Sequence, residues 1–307
     1  MTPTLIGKLL KIYDCFLFWK EFNALEIRLN ELYDVVDRFI IVEFSQSHRG
    51  NKKEFYLKEN FNRFESFSDK VSLFSLKTEF SPKRSPLFIA HQQRLLLDNL
   101  INDHKPKIED LIITSDSDEI IRSQLLEEIK QTKLKEIDFF FNLNLYQNKL
   151  NNFIGTWLRP RIKNFGNYVG FSNSYRDNWI ELNYEYRRLK LLPFMRVNKF
   201  FSADLFDTKI GKWVGFQKPK AHIFDKAGWH FSKIYDVQTH LEHAQNTPHD
   251  INRNKSFKSN LENRIILNQT SYGKLAQGTI VPIDESFPAY VRANKDRFSE
   301  YIENVIN

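Results

Sequence analysis

Short apolar runs separated by amphipathic stretches characterise the first half of the chain. Residues 12–18 and 39–42 are apolar over the length of a buried strand. Between them, leucines recur at the spacing of one helix face, at Leu25, Leu29 and Leu32. Asn23, with Glu26 three residues later, has the form of a helix start, and we interpret Arg28 as a solvated or paired helix charge. Strand, helix and strand in this order predict a βαβ unit and a parallel sheet.

Strand and helix patterns continue to alternate beyond this unit. Strands are predicted at residues 70–76, from residue 111 and at 137–146, and helices at 88–101 and 123–130. From residue 149 to about 216 the pattern weakens, and the tail reads as mostly helical or irregular. The order predicts the α/β class, with a central, mostly parallel sheet and a mixed C-terminal part. We expect a domain over residues 10–250 and an extension over residues 251–307 packed on it.

The apolar run that begins at Leu111 ends in two aspartates, Asp116 and Asp118, separated by one serine. Residues two apart on an extended segment point to the same side, so both carboxylates could bind one hard cation. Such a cation could hold the diphosphate of a nucleotide sugar and neutralise it as it leaves. The alternative is a polar turn that is acidic by chance. A polar, basic loop at residues 45–53 follows the second strand, at the sheet edge where open α/β sheets bind ligands.

Composition and charge narrow the class of protein. The chain has 307 residues, of which 41% are hydrophobic, and carries a net charge of +7 that favours anionic partners. These partners include nucleotide diphosphates, acidic glycans and an anionic membrane surface; no nucleic-acid motif is present, so no nucleic acid is expected. The single cysteine, Cys15, fits a buried thiol in a reducing compartment. With no leader or spanning run in the sequence, we expect a cytoplasmic protein that could contact the inner membrane face peripherally.

Several motifs together resemble glycosyltransferase family 17, the family of the β-1,4-N-acetylglucosaminyltransferase that adds the bisecting residue to N-glycans. The motifs are Y-D-C-F at 13–16, L-E-I-R-L-N-E-L at 25–32, V-D-R-F-I-I-V-E at 36–43 and S-D-S-D-E-I at 115–120, in the family's order. G-W-H-F-S at 228–232 and F-P-A-Y-V at 287–291 resemble its later motifs. The chain departs from the family at Ile121, where proline is usual, at Ala90, where an acid is expected, and over residues 237–246. The last departure suggests a different acceptor.

The resemblance implies a GT-A-like nucleotide-sugar-binding fold and a UDP-sugar donor, with UDP-GlcNAc expected. It also implies a divalent ion, Mn²⁺ or Mg²⁺, bound by Asp118, Asp116 and His230, with Asp116 also able to touch the donor ribose. Glu119 would anchor this site, or would instead be a helix-start charge. A lone histidine between aromatics is otherwise a satisfied core group, and that alternative stays open for His230. The acceptor would be a glycan or a lipid-linked saccharide.

Further residues are candidates for donor binding and catalysis. Tyr13 could stack on uracil and Glu43 could accept its N3–H, and ordinary packing or capping is the alternative for both. Trp229 could pack on the sugar. Three arginines could contact the diphosphate bidentately, namely Arg94, Arg159 and Arg161. Inversion at the anomeric carbon calls for a carboxylate base; Asp225 is the candidate, with Asp204, Asp207 and Glu242 left open. A non-catalytic glycan- or polyanion-binding protein that retains the fold is the competing hypothesis.

Overall fold

The computed structural model describes residues 10–81, 83–131, 138–164, 221–248, 257–271 and 275–305. Its strands are β1 (Ile12–Leu17), β2 (Arg38–Phe44), β3 (Val71–Leu76), β4 (Leu111–Thr114), β5 (Glu119–Ile121), β6 (Asp138–Gln147), β7 (Asn152–Asn164), β8 (Ala221–Phe224), β9 (Gly228–Ser232) and β10 (Thr279–Ile280). Its helices are α1 (Phe22–Leu32), α2 (Tyr56–Glu59), α3 (Pro86–Asp103), α4 (Ser123–Gln131), α5 (Val237–Asn246), α6 (Phe257–Ile266) and α7 (Ala289–Ala293). Short 3-10 helices occupy Phe61–Phe67 and Ser299–Tyr301.

The strands form one mixed sheet in the order β3-β2-β1-β4-β7-β6-β9-β5, with β8 beside β6 and β10 beside β7. One half is parallel, since β1 pairs parallel with both β2 and β4, and β2 pairs parallel with β3. Antiparallel pairing begins where β7 joins β4. This arrangement confirms the predicted α/β class, with a parallel half in the N-terminal part and a mixed remainder, as in a GT-A-like fold.

The parallel half is buried on both faces. Alternate residues of β1 face opposite sides: Ile12 and Phe16 pack with α1, whereas Tyr13 and Cys15 pack with α3. Such two-sided burial gives near-continuous apolar strands, which explains why the sequence predicts β1 and β2 well. Cys15 is 0% exposed at the centre of this half.

Helix α1 begins earlier than predicted and carries an unexpected buried charge. Its N-cap is Glu21, and Asn23 lies inside the first turn, where its amide donates to the carbonyl of Ile234. The predicted leucine stripe is buried as expected. Arg28 is 1% exposed and forms an ion pair with Asp14, so of the two predicted alternatives the paired charge is confirmed and the solvated charge is wrong. It lies on the apolar face because an acidic partner, Asp14, is buried on the adjoining strand.

The C-terminal residues contribute to a second core. Phe287, Val291 and Phe298 pack with Trp229 and with Ile27 of α1, and β10 pairs antiparallel with β7. The predicted boundary near residue 250 falls among residues 249–256, outside the described part of the chain. Residues on both sides of it therefore bury apolar surface against each other. No helix in the described ranges combines the length and the apolar character needed to cross a membrane.

Candidate active site

The acidic loop, defined here as residues 115–118, connects β4 to β5 and is held closed by Glu119. The carboxylate of Glu119 accepts the backbone N–H of Asp116 at 2.8 Å, and its own N–H donates to the Asp116 carbonyl at 3.1 Å. Its second oxygen accepts the indole N–H of Trp157 at 2.6 Å. Glu119 is 1% exposed and begins β5, so the helix-start alternative is wrong. The geometry agrees with an anchoring role.

Strand β9 brings His230 to this loop. His230 pairs in register with Glu119, and the backbone N–H of Phe231 donates to the Asp118 carbonyl at 2.9 Å. The His230 Nε2 atom then lies 3.2 Å from Asp118 Oδ2. Its ring packs on Trp157, with ring centroids 4.9 Å apart. Two residues 112 positions apart in sequence thus meet at the carboxyl end of β4.

The electrostatics of His230 are dominated by burial and by Asp118. Burial works against a charged ring, but the charge of Asp118 and the hydrogen bond to it raise the pKa of His230 above its ordinary value. The other ring nitrogen, Nδ1, is buried and has no hydrogen-bond partner among the described residues. The ring is therefore only half satisfied, unlike a core histidine whose two nitrogens are both bonded.

The Asp118–His230 pair fits a divalent cation. Adjacent ligands of a six-coordinate ion with bonds of about 2.1 Å lie about 3 Å apart, and the two side-chain atoms are separated by 3.2 Å. A carboxylate suits Mg²⁺ or Mn²⁺, and an imidazole suits transition metals, so the pair is chemically compatible with a divalent transition-metal ion. Within the described ranges no cluster of three His, Cys, Asp or Glu side chains is arranged to hold a metal. Further ligands would come from donor oxygens or water.

Two ionisable residues beside Asp118 were not identified from the sequence. Glu21, which follows β1, accepts the backbone N–H groups of Trp19 and Lys20 at 3.0 and 3.1 Å. Burial, with the nearby charge of Asp118, raises the pKa of Glu21 to about 7. Burial lowers the pKa of Lys233, the residue after β9, to about 8, and Asp118 opposes that shift. Clustered pKa shifts of this size are typical of functional sites. The signal available in the sequence was their position: Glu21 lies between the first strand and the helix after it, and Lys233 directly follows β9.

Two predicted site residues lie away from this edge of the sheet. Trp229 is 1% exposed on the face of β9 opposite His230, where its indole donates to the Ser286 carbonyl. Its ring is therefore not placed to pack on a sugar beside Asp118. Asp225 is exposed in the turn before β9 and accepts a hydrogen bond from Asn142 at 2.8 Å. It lies at the Gly228 end of β9, so the structure does not bring it to the acidic loop.

The two residues predicted to hold the base have structural roles. Tyr13 is the second residue of β1, so it packs at the amino end of the strand under α3. Glu43 does lie near the carboxyl end of β2, but it is 0% exposed. Its carboxylate accepts the N–H groups of Leu57 and Lys58 and the hydroxyl of Ser75. It caps α2, as the alternative interpretation expected.

The three arginines that were predicted to contact the diphosphate lie in two different parts of the fold. Arg94 is buried on α3, which covers the face of the parallel half opposite α1. Arg159 and Arg161 lie on β7, where the backbone of Arg161 pairs with Thr114, the last residue of β4. That register places Arg161 beside the start of the acidic loop. The side chains of Arg159 and Arg161 lie outside the described part of the structure.

Comparison with known proteins agrees with the α/β fold. No curated protein matches the chain. The sequence pattern of glycosyltransferase family 17 matches residues 5–160, about half of the 307 residues. The matched range runs from ahead of β1 into β7 and includes Asp116, Asp118 and Glu119, and it ends before His230. The chain therefore belongs to glycosyltransferase family 17, a family of enzymes that transfer a sugar from a nucleotide-sugar donor to a glycan acceptor.

Proposed function

We propose that this glycosyltransferase is metal-dependent and transfers a sugar from a UDP-sugar, UDP-GlcNAc being our choice, with inversion at the anomeric carbon. The observation that carries the proposal is the 3.2 Å approach of His230 Nε2 to Asp118 Oδ2 at the end of β4. Two ligand types from distant parts of the chain converge at the sheet edge where α/β folds bind nucleotides. Asp116, the other predicted ligand, is partly buried on the same loop.

In the proposed reaction the protein's residues position the donor and neutralise the leaving group. Asp118 and His230 would hold the ion, and a bound Mn²⁺ would supply charge neutralisation for the departing diphosphate. Glu119 and Trp157 keep the loop and the His230 ring in place through the contacts described above. Lys233, partly buried directly after β9, would add positive charge near the diphosphate.

Inversion requires a carboxylate that takes the proton of the acceptor hydroxyl. Of the candidates named from the sequence, Asp225 lies at the far end of β9. Glu242 on α5 is engaged by Lys20 at 2.5 Å and by the Tyr56 hydroxyl at 2.9 Å. Asp204 and Asp207 lie outside the described residues. We therefore propose inversion because the chain belongs to this family, and we do not assign the catalytic base to a residue.

A panel of nucleotide sugars assayed for Mn²⁺-dependent hydrolysis and transfer tests the proposal. We expect activity with a UDP-sugar that is abolished by EDTA and restored by Mn²⁺. Asp118→Asn and His230→Gln should each lower it by about 100-fold or more, because each removes a metal ligand. Asp103→Asn makes the same charge change as Asp118→Asn at an exposed site on α3 and should leave activity unchanged.

Two outcomes would contradict this function. Transfer that is insensitive to EDTA would exclude metal dependence. Binding of glycans without binding or hydrolysis of any UDP-sugar in Mn²⁺ would instead support the non-catalytic glycan- or polyanion-binding alternative.

We also propose a cytoplasmic enzyme that acts on a glycan or lipid-linked saccharide, with peripheral contact to an anionic membrane surface. The buried thiol of Cys15 fits a reducing compartment, and the net charge of +7 favours an anionic surface. Cosedimentation with vesicles that contain anionic lipid, compared with neutral vesicles in the same salt, tests the membrane contact. Equal sedimentation with both would contradict it.

A further inference from the structure

Arg28 on α1 is a fully buried arginine whose donors converge on the acidic loop. It is 1% exposed, and its Nη1 donates to the carbonyls of Asp116, Ser117 and Glu119 at 2.8, 3.3 and 3.0 Å. Its Nη2 donates to the hydroxyl of Ser115 at 2.7 Å. Every residue of the loop except Asp118 therefore contacts this one guanidinium, as does Glu119 directly after it.

Asp14 on β1 neutralises the buried charge of Arg28. Asp14 is 0% exposed. Its carboxylate accepts hydrogen bonds from Nε of Arg28, at 2.7 Å, and from Nη2, so the pair is bidentate. The guanidinium carbon also lies 4.2 Å from the centre of the Phe16 ring. A buried ion pair is weak evidence for stability, because apolar residues of similar size often stabilise a core equally well. The pair therefore calls for an explanation other than stability.

The contacts of Arg28 decide which side chains of the acidic loop face outward. Ser115 and Ser117 are 2% and 4% exposed, whereas the Asp118 side chain is 16% exposed. The carbonyls of Asp116 and Ser117 turn inward to Arg28, since a buried carbonyl needs a donor. With the serines and the carbonyls directed inward, Asp116 and Asp118 are left at the outer side of the loop.

We propose that the Arg28–Asp14 pair is a positioning device that fixes the backbone of the acidic loop and thereby sets the affinity of Asp118 for a divalent cation. Arg28 acts through the loop and is a positioning residue. The inference rests on the proposed function only in that Asp118 binds the cation. The order of the loop can be measured without metal, so the positioning role of Arg28 and the metal-dependent function can fail separately.

The test compares a variant that lacks both charges of the buried pair with a control variant in which a different arginine is replaced. In Asp14→Leu/Arg28→Met both charges are removed together, so no unpaired charge is left buried. Arg122→Met is the control, because Arg122 also donates to backbone carbonyls, those of Lys226 and Ser286, but at the other end of β5. Amide hydrogen exchange over residues 115–119 of the metal-free protein and the Kd for Mn²⁺ alone are measured for each variant.

We expect exchange over residues 115–119 to accelerate at least tenfold in the double variant and the Kd for Mn²⁺ to rise at least tenfold. Arg122→Met should lower the Tm while both readouts stay at the wild-type value. Arg28→Lys should give intermediate values, because an ammonium has three donors and cannot reach Asp14 and the carbonyls together. If the double variant does not fold, Arg28→Lys decides by the same readouts.

Unchanged exchange in the folded double variant, or wild-type values in Arg28→Lys where the double variant does not fold, would overturn the inference. Exchange that accelerates while the Kd for Mn²⁺ stays at the wild-type value would overturn the link to the cation. If the wild-type protein does not bind Mn²⁺ but exchange accelerates in the variant, the metal-dependent function fails while the positioning of the loop by Arg28 stands.

Discussion

His240 on α5 is a histidine that the fold keeps neutral. It is 1% exposed, and its ring lies 4.6 Å from that of Tyr235. Burial, assisted by the charge of Lys233, lowers the pKa of His240 to about 3 from an ordinary value of 6.5, and Asp236 opposes the shift. The unfolded chain takes up a proton at this position as the pH falls through 6.5, and the native protein does not. The contribution of His240 to stability is therefore fully present above pH 6.5 and is lost progressively as the pH falls towards 3.

We expect the free energy of unfolding of the wild-type protein to fall more steeply with acid than that of His240→Phe. The difference should reach about 1–2 kcal/mol between pH 7 and pH 5, since each pH unit below the unfolded pKa contributes at most about 1.4 kcal/mol. Urea unfolding at several pH values measures it. Parallel pH profiles would show that His240 does not carry this dependence.

At the scale of single residues, predictability from the sequence depended on burial. Asp118 and His230 could be proposed because a motif marked each of them, although nothing in the spacing placed them 3.2 Å apart. Arg28 and Asp14 could not be paired, since a charge on an apolar helix face is tolerated only when a distant segment neutralises it. Their signal was present: Arg28 falls within the leucine stripe, and Asp14 interrupts an apolar strand.

At the scale of elements, the parallel strands were predictable and β7 was not. β1, β2 and β4 are buried on both faces and therefore read as apolar runs. β7 is 13 residues long, and much of its described length is only partly buried, with Pro160 and basic residues near its end. Its apolar pattern is correspondingly weak. Its place in the sheet follows from pairing with β4 and β6, which is set by distant sequence.

The pairing of β5 with β9 depends on Gly228. Its φ is +156°, and a Cβ there would lie 2.0 Å from the Ile120 carbonyl oxygen. We expect Gly228→Ala to lower the free energy of unfolding by about 3–5 kcal/mol, through backbone strain and the clash together. Because β9 must move away from β5, the same change should weaken Mn²⁺ binding at Asp118 and His230. Chemical denaturation and metal titration measure the two effects.

Gly155 provides the matched control for this substitution. Its φ is +153°, but a Cβ there would meet nothing within 4 Å. Gly155→Ala should therefore show the strain alone, about 1–3 kcal/mol, with Mn²⁺ affinity unchanged. Equal destabilisation by the two substitutions would show that close strand contact at Gly228 contributes nothing.

At the scale of the whole molecule, the second core joins the C-terminal residues to α1 and β9. Phe298 is 0% exposed within this core, whereas Val305 is 43% exposed. Phe298→Ala should lower the free energy of unfolding of the main transition by about 3–5 kcal/mol, and Val305→Ala should have little effect. Denaturation followed by tryptophan fluorescence includes the signal of Trp229 in the same core, together with that of the other four tryptophans. A loss confined to a separate, earlier transition would instead indicate an extension that unfolds independently.

The burial of Cys15 gives the native sheet a chemical reporter of its own. It is the single cysteine of the chain, it is 0% exposed on β1 between β2 and β4, and burial raises the pKa of its thiol. A thiol reagent can reach it only when the parallel half opens. As long as reclosing is faster than labelling, the labelling rate follows the opening equilibrium of that half. The mass increase of each variant, followed over the labelling time, therefore ranks how often the sheet opens in that variant. No probe has to be introduced into the chain.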